Sequence, residues 1–154
     1  MNRWSFFFLL LLFVGCSSEK QDVYMHSVNG VWEKKIPQVY EIEIKDYKTP
    51  KNLIFVVRNN NKFQYLNLNA RVCINDGNKE LFPCDNLKFN LAELNGLWKG
   101  HGFGDTKEML FLYKVNAQFP KDGKYIVEIN HLMPVDLLIG IEDIGIIIET
   151  PRSK

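Results

Sequence analysis

The sequence has almost no net charge and no cluster of basic residues. Its 154 residues include 19 lysines and arginines and 18 aspartates and glutamates, and no basic run is longer than Lys34-Lys35. A chain that binds nucleic acid or an anionic membrane surface needs a basic patch to offset the phosphates. We therefore expect neither nucleic acid nor an anionic lipid surface to be a partner of the folded part.

The sequence also lacks the residue sets of common catalytic and metal sites. It contains no G-x-S-x-G elbow and no H-x-x-x-H pair, and neither Cys73 nor Cys84 has a neighbouring histidine that could activate its thiol. Residues 100–104 have alternating glycines, but a dinucleotide loop needs G-x-G-x-x-G before a helix. We interpret them as a glycine-rich loop or bulged edge. We expect no enzymatic activity, metal, cofactor or small-molecule ligand.

No segment has the 3.6-residue periodicity of an amphipathic helix. Short strand-like segments recur instead, with turn signals every 8 to 15 residues or so, as is typical of β-sandwiches and barrels. Residues 66–74 alternate most clearly, with apolar residues on one face and polar ones, including Cys73, on the other. Residues 53–57 and 109–115 are apolar at both parities, which predicts strands covered on both faces. The sequence predicts an all-β fold, a two-sheet β-sandwich (Ig-like or jelly-roll-like) of about eight or nine strands.

Residues 4–14 form the longest apolar run, between Arg3 and Gly15-Cys16. A basic start, an apolar core and a small final residue are the features of a secretory signal peptide. The run is too short for a membrane-spanning helix, which needs roughly 20 residues. Its end, Phe13-Val14-Gly15-Cys16, resembles a bacterial lipobox, in which the cysteine is lipidated and becomes the first mature residue.

These features divide the chain into three parts. Residues 1–15 are predicted to be a lipoprotein signal peptide, residues 16–22 the lipidated Cys16 with a flexible tether, and residues 23–154 a single β-sandwich domain. A lipoprotein cysteine carries at least two acyl chains, which hold a protein to a bilayer far more firmly than one chain does. The membrane is therefore an expected partner through this anchor.

Cys73 and Cys84 are the two cysteines that remain once the first is lipidated. In an oxidising compartment they could form a disulfide, which would stabilise the fold by about 3 kcal/mol. The expected geometry argues against it, because a tight turn at Asp76-Gly77 would leave Cys84 roughly 10 Å from Cys73. A disulfide needs Cα atoms within about 7 Å. Pro83, which is expected to stop the return strand, could bend it enough to restore the pairing, so both outcomes stay open.

Some side chains are candidates for contacts with a partner. The candidate interaction loop contains four of them: Trp98, His101, Phe103 and Asp105. A sugar-stacking platform is an alternative for five aromatic residues, although aromatics at this abundance mostly fill cores: Trp32, Tyr47, Tyr65, Trp98 and Phe103. His131 continues an apolar strand face, so we interpret it as a partly buried histidine with satisfied hydrogen bonds.

Several segments of the sequence resemble one family. Residues 53–60 are similar to the strand and Arg-Asn block of the gliding-motility lipoprotein GldH family. A longer similar block runs from Trp98-Lys99-Gly100 to His131-Leu132-Met133, and Asn29-Gly30 followed by Trp32 resembles the N-terminal signature of that family. With the lipobox, the likeness spans nearly the whole chain. The cysteine-containing segment and the tail after residue 134 match less well.

The resemblance implies a cell-envelope lipoprotein required for gliding of bacteria related to Bacteroidetes. It implies no enzymatic activity, and its implied partners are other envelope proteins of a motility machine coupled to protein secretion. Surface lipoproteins of that group often have an acidic run after the lipidated cysteine, whereas residues 17–22 contain two separated acids and a lysine. We therefore predict a lipid-anchored protein of the outer membrane that faces the periplasm.

Two other functional classes make distinguishable predictions. A glycan-binding lipoprotein would present an exposed, coplanar row of aromatic residues, whereas a protein partner would be met by an apolar patch with a polar rim. A metal hydrolase would require His101 or His131 to converge with acidic side chains. Exposed sheet edges offer a further docking route, by strand addition.

Overall fold

The computed structural model describes residues 20–77, 80–102 and 104–151, and these residues form ten β-strands. The strands are β1 Gln21–Ser27, β2 Val31–Glu33, β3 Gln38–Ile44, β4 Lys51–Asn59, β5 Asn67–Asn75, β6 Glu80–Asn90, β7 Lys107–Ala117, β8 Gly123–His131, β9 Leu137–Ile139 and β10 Ile141–Glu149. Their sheets have the orders β1-β10-β4-β7, β2-β9 and β3-β8-β5-β6. This part of the chain has no helix long and apolar enough to cross a membrane. The predicted all-β sandwich is confirmed, with β2 and β9 as a small additional sheet.

Alternating apolar side chains hold the two four-stranded sheets together. In β3, Tyr40, Ile42 and Ile44 are buried while the residues between them are exposed, as the period of two requires. Between the sheets, the rings of Phe55 and Phe89 stack with centroids 4.3 Å apart. Each fully buried aliphatic or aromatic side chain contributes about 1.5–3 kcal/mol, so this shared core is the main source of stability.

The sandwich has two ends with different connections. β1 begins beside the end of β10, where Gln21 pairs with Glu149. The loops before β4 and before β8 lie at the same end and are joined where Tyr47 N–H donates to Asp122 Oδ1 at 2.8 Å. We call this the anchor end, because the chain enters from the predicted lipidation site there. The opposite, distal end carries the β4–β5 and β6–β7 connections, about 30 Å away at the rise of a nine-residue strand.

Two strand boundaries differ from the sequence expectation. Pro83 was expected to stop a strand, but it lies inside β6. That expectation was wrong because β6 is an edge strand, where a proline is tolerated if its missing N–H faces no neighbouring strand. Gln21 and Asp22 were placed in the tether, but they are the first residues of β1 and pair with Glu149 and Ile148 of β10.

Cys73 and Cys84 form a disulfide, with their Cα atoms 4.4 Å apart. The expectation that they lie too far apart was wrong, because the hairpin is not in simple register. The register shifts twice between Val72 and Asn75, so three residue steps along β5 lie opposite five residue steps along β6. Such bulges insert unpaired residues into one strand and bend it, which brings Cys84 opposite Cys73. Cys73 keeps its predicted place on the polar face of β5.

Candidate protein-interaction surface

The predicted interaction loop lies at the distal end, in the connection from β6 to β7. Trp98 is half-buried, and its Nε1–H donates to Asn61 Oδ1 at 3.1 Å. Its ring centroid is 6.3 Å from that of Phe63. Asn61 Nδ2 also donates to Asp105 Oδ1 at 2.9 Å. Asn61 therefore joins two of the predicted residues, and the sequence analysis did not single it out as a candidate.

His101 is exposed and pairs with Glu108 of β7 through the backbone. His101 N–H donates to Glu108 O at 3.0 Å, and Glu108 N–H donates to His101 O at 2.8 Å. A Cβ on Gly100 would lie 2.7 Å from Glu108 O, so only glycine lets the loop approach β7 this closely. Phe103 and the predicted lipidation residue Cys16 lie outside the described residues.

A cleft of about 440 Å³ separates this loop from β10. Three of its charged side chains pair with one another: Arg58 Nε donates to Glu108 Oε2 at 2.6 Å, and the Arg58 guanidinium lies 3.6 Å from Asp143 Oδ2. The hydrogen bond to Glu108 raises the pKa of Arg58 above its ordinary value. Among residues 20–77, 80–102 and 104–151, no group of three or more His, Cys, Asp or Glu side chains is placed to hold a metal ion.

His131 is 1% exposed and packs edge-on against Trp32, with ring centroids 5.2 Å apart. Neither ring nitrogen has a well-aligned hydrogen-bond partner within the described part of the chain, although the Trp32 backbone acts on the ring as a hydrogen-bond partner would. The prediction of a fully satisfied histidine is therefore not met. Burial lowers the pKa of His131 below its ordinary value, and the charge of Lys34 acts in the same direction. The folded protein therefore favours the neutral ring.

We expect His131 to make stability depend on pH. An unfolded histidine takes up a proton near pH 6.5, whereas the folded one resists it, so stability is full above about pH 6.5 and falls as the pH drops toward the lowered pKa. His131→Phe should flatten this dependence, because it removes the titrating group and keeps an aromatic ring. The measurement is the thermal midpoint between roughly pH 8 and pH 5, in the range where histidines titrate.

The exposed His101 gives a matched control for this prediction. His101→Phe should leave the pH dependence of the midpoint as in the wild type, because that side chain is exposed in the folded protein as well. Equal slopes for the wild type and His131→Phe would contradict the prediction.

The two four-stranded sheets have outer faces of opposite character. On the sheet β3-β8-β5-β6, pairs such as Lys124 Nζ and Glu41 Oε1, 2.6 Å apart, cover the surface. Its outward side chains are mostly charged or amide groups: Glu41, Glu43, Lys124, Glu128, Asn130, Asn67, Asn69, Arg71 and Lys88. Val39 and Ile126 are the apolar members of this polar face.

The outer face of the sheet β1-β10-β4-β7 is apolar. Two cross-strand rows form it, Val23-Ile147-Ile54-Leu112 and Met25-Gly145-Val56-Leu110, and we call these eight residues the apolar face. Val23, Leu110 and Leu112 are 58%, 54% and 58% exposed. The Met25 side chain occupies the space that a Cβ on Gly145 would need, so the surface is continuous between β1 and β4.

Polar side chains bound the apolar face at both ends. Toward the distal end lies the Arg58 pair with Glu108 and Asp143. Toward the anchor end, Glu149 Oε1 accepts a hydrogen bond from Gln21 Nε2 at 3.0 Å. An apolar patch with a polar rim is the form of a protein-contact site. These rims also lack the excess of basic residues that attracts anionic lipid headgroups.

The apolar face explains why one strand that the sequence pattern predicts to be covered on both sides is exposed on one side in the structure. Residues 53–57 and 109–115 are apolar at both parities and were predicted to be covered on both faces. The first segment lies in the central strand β4, but the second lies in β7, an edge strand whose outward leucines are half exposed. That prediction was wrong for β7.

The aromatic residues considered for sugar stacking are placed differently. Trp32 is 1% exposed, and its Nε1–H donates to Ile36 O at 3.1 Å. Tyr47, Tyr65 and Trp98 are half-buried and pack against the core. In the described ranges these four residues form no exposed, coplanar row.

Comparison with known proteins identifies the family. The model of the GldH lipoprotein family matches residues 21–148. A gliding motility lipoprotein GldH homolog of Christiangramia forsetii is 32% identical over 151 residues, which cover 94% of this chain and 92% of that protein. The gliding motility lipoprotein GldH of Flavobacterium johnsoniae is 29% identical over 146 residues, 90% of each chain.

Solved structures show only distant likeness. The dimeric latent PorU from Porphyromonas gingivalis superimposes with a TM-score of 0.39 at 6% identity, over 87% of this chain and 14% of that one. A family 35 carbohydrate binding module from Clostridium thermocellum gives 0.36 at 12% identity, over 82% and 90%. Scores this low support no conclusion about function. The family match, by contrast, extends from β1 to β10, and the chain belongs to the GldH lipoprotein family.

Proposed function

We propose that this protein is a lipid-anchored, non-enzymatic component of the bacterial gliding machinery that binds another envelope protein through its apolar face. The names of both relatives support the gliding role, and the lipobox-like Phe13-Val14-Gly15-Cys16 supports the anchor. The observation that carries the proposal is the contrast between the apolar face and the polar outer face of the opposite sheet. Both faces belong to one fold, so the sandwich itself does not require an apolar exterior.

The physical argument is the cost of leaving this surface in water. Apolar surface gains about 25 cal/mol for each Å² removed from solvent, and three of the eight residues are more than half exposed. Val56, Gly145 and Ile147 are already buried, so a partner gains this energy mainly by covering the exposed side chains at the two edges of the face, Val23, Leu110 and Leu112. The rims carry one guanidinium, that of Arg58, and three carboxylates, those of Glu108, Asp143 and Glu149. The partner surface is therefore apolar at its centre with basic residues at its margin.

The alternative function, glycan binding, has less support. A sugar platform needs flat aromatic rings open to solvent, and the four described candidates are buried or half-buried. The apolar face is built from aliphatic side chains and Met25, which offer neither stacking rings nor hydroxyl partners.

We also propose that the domain faces the periplasm from the outer membrane. The support is the sequence after Cys16, where residues 17–22 lack an acidic run. Protease digestion of intact cells tests this orientation, since a periplasmic domain is cleaved only after the outer membrane is opened.

The double change Val23→Asp and Leu112→Asp tests the apolar face from both edge strands. We expect cells with this variant to lose gliding and the partner to lose affinity by at least about tenfold, because two charges would be buried against apolar surface. Both side chains are more than half exposed, so stability should change by no more than about 1 kcal/mol per site. The measurements are single-cell gliding, crosslinked co-purification from the envelope and the thermal midpoint of the purified variant.

Val39→Asp is the matched control, because Val39 is a 43% exposed valine on the polar face. It should glide and co-purify as the wild type does. Normal gliding by the double variant, or an equal defect in Val39→Asp, would contradict a contact through the apolar face.

A further inference from the structure

The four edge strands of the sandwich differ in how they are protected against pairing with another chain. Edge strands are commonly guarded by proline, bulges, charges or neighbouring elements. On one side, β1 and β3 lie together, and Glu43 N–H donates to Tyr24 Oη at 3.1 Å. On the other side, β6 contains Pro83, two register shifts and the disulfide at Cys84. Three of the four edges are therefore guarded.

β7 has none of these guards from Met109 to Leu112, although the His101 bridge covers its edge at Glu108. It has no proline, and residues 109–113 are Met-Leu-Phe-Leu-Tyr, in regular register with β4 from Lys107 to Leu112. The backbone of Glu108 bonds to His101 on the side away from β4. Because backbone groups alternate direction along an antiparallel strand, the N–H and C=O of Leu110 and Leu112 face that same side. In the described part of the chain nothing pairs with them.

A groove of about 380 Å³ runs beside this free edge, between β7 and β6. Its floor is apolar and includes Leu87, Phe89 and Phe111, and Lys88 is the charged residue of its lining. Lys88 is exposed and makes no ion pair with a described residue. A strand added to β7 would direct alternate side chains into this groove and the others onto the margin of the apolar face, beside Leu110.

We propose that the free edge of β7 binds an extended segment of the partner protein by strand addition, which continues the pairing that His101 begins. The inference rests on the proposed function, since it names how the partner docks. The segment has apolar side chains at alternate positions, to match the groove, and an acidic residue where it passes Lys88. Main-chain hydrogen bonds to Leu110 and Leu112 hold it in place.

A second copy of the chain fits this edge less well. A twofold β7–β7 pair centred on Phe111 would meet His101, which already occupies the edge at Glu108, and would be limited to residues 109–113. So short a contact falls below the roughly 800 Å² per partner of a stable interface. A single partner segment can also fill the groove.

The test uses the full-length protein in gliding cells, with a photo-crosslinking amino acid in place of Leu87, which lines the groove. Leu110→Pro removes an N–H that faces the free edge and leaves the β4–β7 hydrogen bonds intact. We expect crosslinks to one short segment of one envelope protein, and a crosslink yield about tenfold lower in Leu110→Pro, since a hydrogen bond is lost and the ring obstructs the added strand. Leu110→Ala removes the same side chain but keeps the N–H, so the crosslink yield of Leu110→Pro should fall well below that of Leu110→Ala.

Amide exchange on the purified wild-type complex provides a readout that does not depend on folding of the proline variant. Strand addition should slow exchange at Leu110 and Leu112 on binding and leave Phe111, already bonded to β4, unchanged. Each of three results would overturn the proposal. They are crosslinks to a second copy of this chain, equal crosslink yields for the proline and alanine variants, and amides of Leu110 and Leu112 that stay unprotected on binding. If the Val23→Asp, Leu112→Asp variant fails to glide while Leu110→Pro glides normally, strand addition is rejected and the proposed function stands.

Discussion

Gly140→Ala is expected to destabilise the protein by about 4 kcal/mol, from left-handed backbone strain, overpacking and weakened hydrogen bonds together. Gly140 has φ +92°, and a Cβ there would collide with the backbone N and Cα of Phe63. Its carbonyl accepts from Asn60 N–H at 2.8 Å, and its own N–H donates to Gly30 O at 2.8 Å. The position therefore holds together the distal turns that carry Asn61. Urea unfolding of the purified protein measures the loss.

Gly96→Ala is the control that separates the cost of left-handed backbone strain from the cost of the steric collision at Gly140. Gly96 has a similar φ of +84°, but a Cβ added there would have no other atom within 4 Å. This variant should lose only about 1 kcal/mol, the cost of the backbone conformation. Similar losses for both variants would show that close packing at Gly140 contributes nothing.

Cys16→Ala is expected to release the protein from the membrane fraction almost completely. The thiol is the predicted attachment point of the acyl chains, and no basic run of the sequence is longer than Lys34-Lys35, so little electrostatic attraction to anionic lipid is expected without them. Gliding should be lost with the anchor. Fractionation of cell envelopes measures the release, and a mass spectrum of the wild-type N-terminal peptide measures the added acyl mass.

The double variant Cys73→Ser and Cys84→Ser is the control for losing a cysteine as such. It lacks the disulfide but keeps Cys16, so the protein that folds should stay in the membrane fraction. Wild-type membrane retention of Cys16→Ala, or an unmodified thiol in the wild type, would reject Cys16 as the anchor.

The strands could be predicted because alternation is a local property. Tyr40, Ile42 and Ile44 had to share one face at a period of two, and the structure buries all three. The disulfide could not be predicted in this way. It depends on where β6 shifts register against β5, and the local sequence shows only Pro83 as a sign of irregularity.

The candidate surface was only partly visible in the sequence. Leu110, Leu112 and Val56 belonged to segments that were apolar at both parities, so apolar side chains on both sides of these strands were predicted, but covered ones. The extent of the apolar face was not predicted, because its rows also include Val23 and Ile147. These two residues reach the same face only through strand pairing across the sheet. Asn61 was missed for the same reason, since it joins Trp98 and Asp105 from a different loop.

The position of the anchor end sets how far the protein can reach. Five residue steps separate Cys16 from Gln21, and a fully extended chain of that length spans at most about 18 Å. Strands of about 30 Å add the length of the domain. With Cys16 as the predicted anchor, any protein that docks on β7 must therefore meet it within roughly 50 Å of the bilayer.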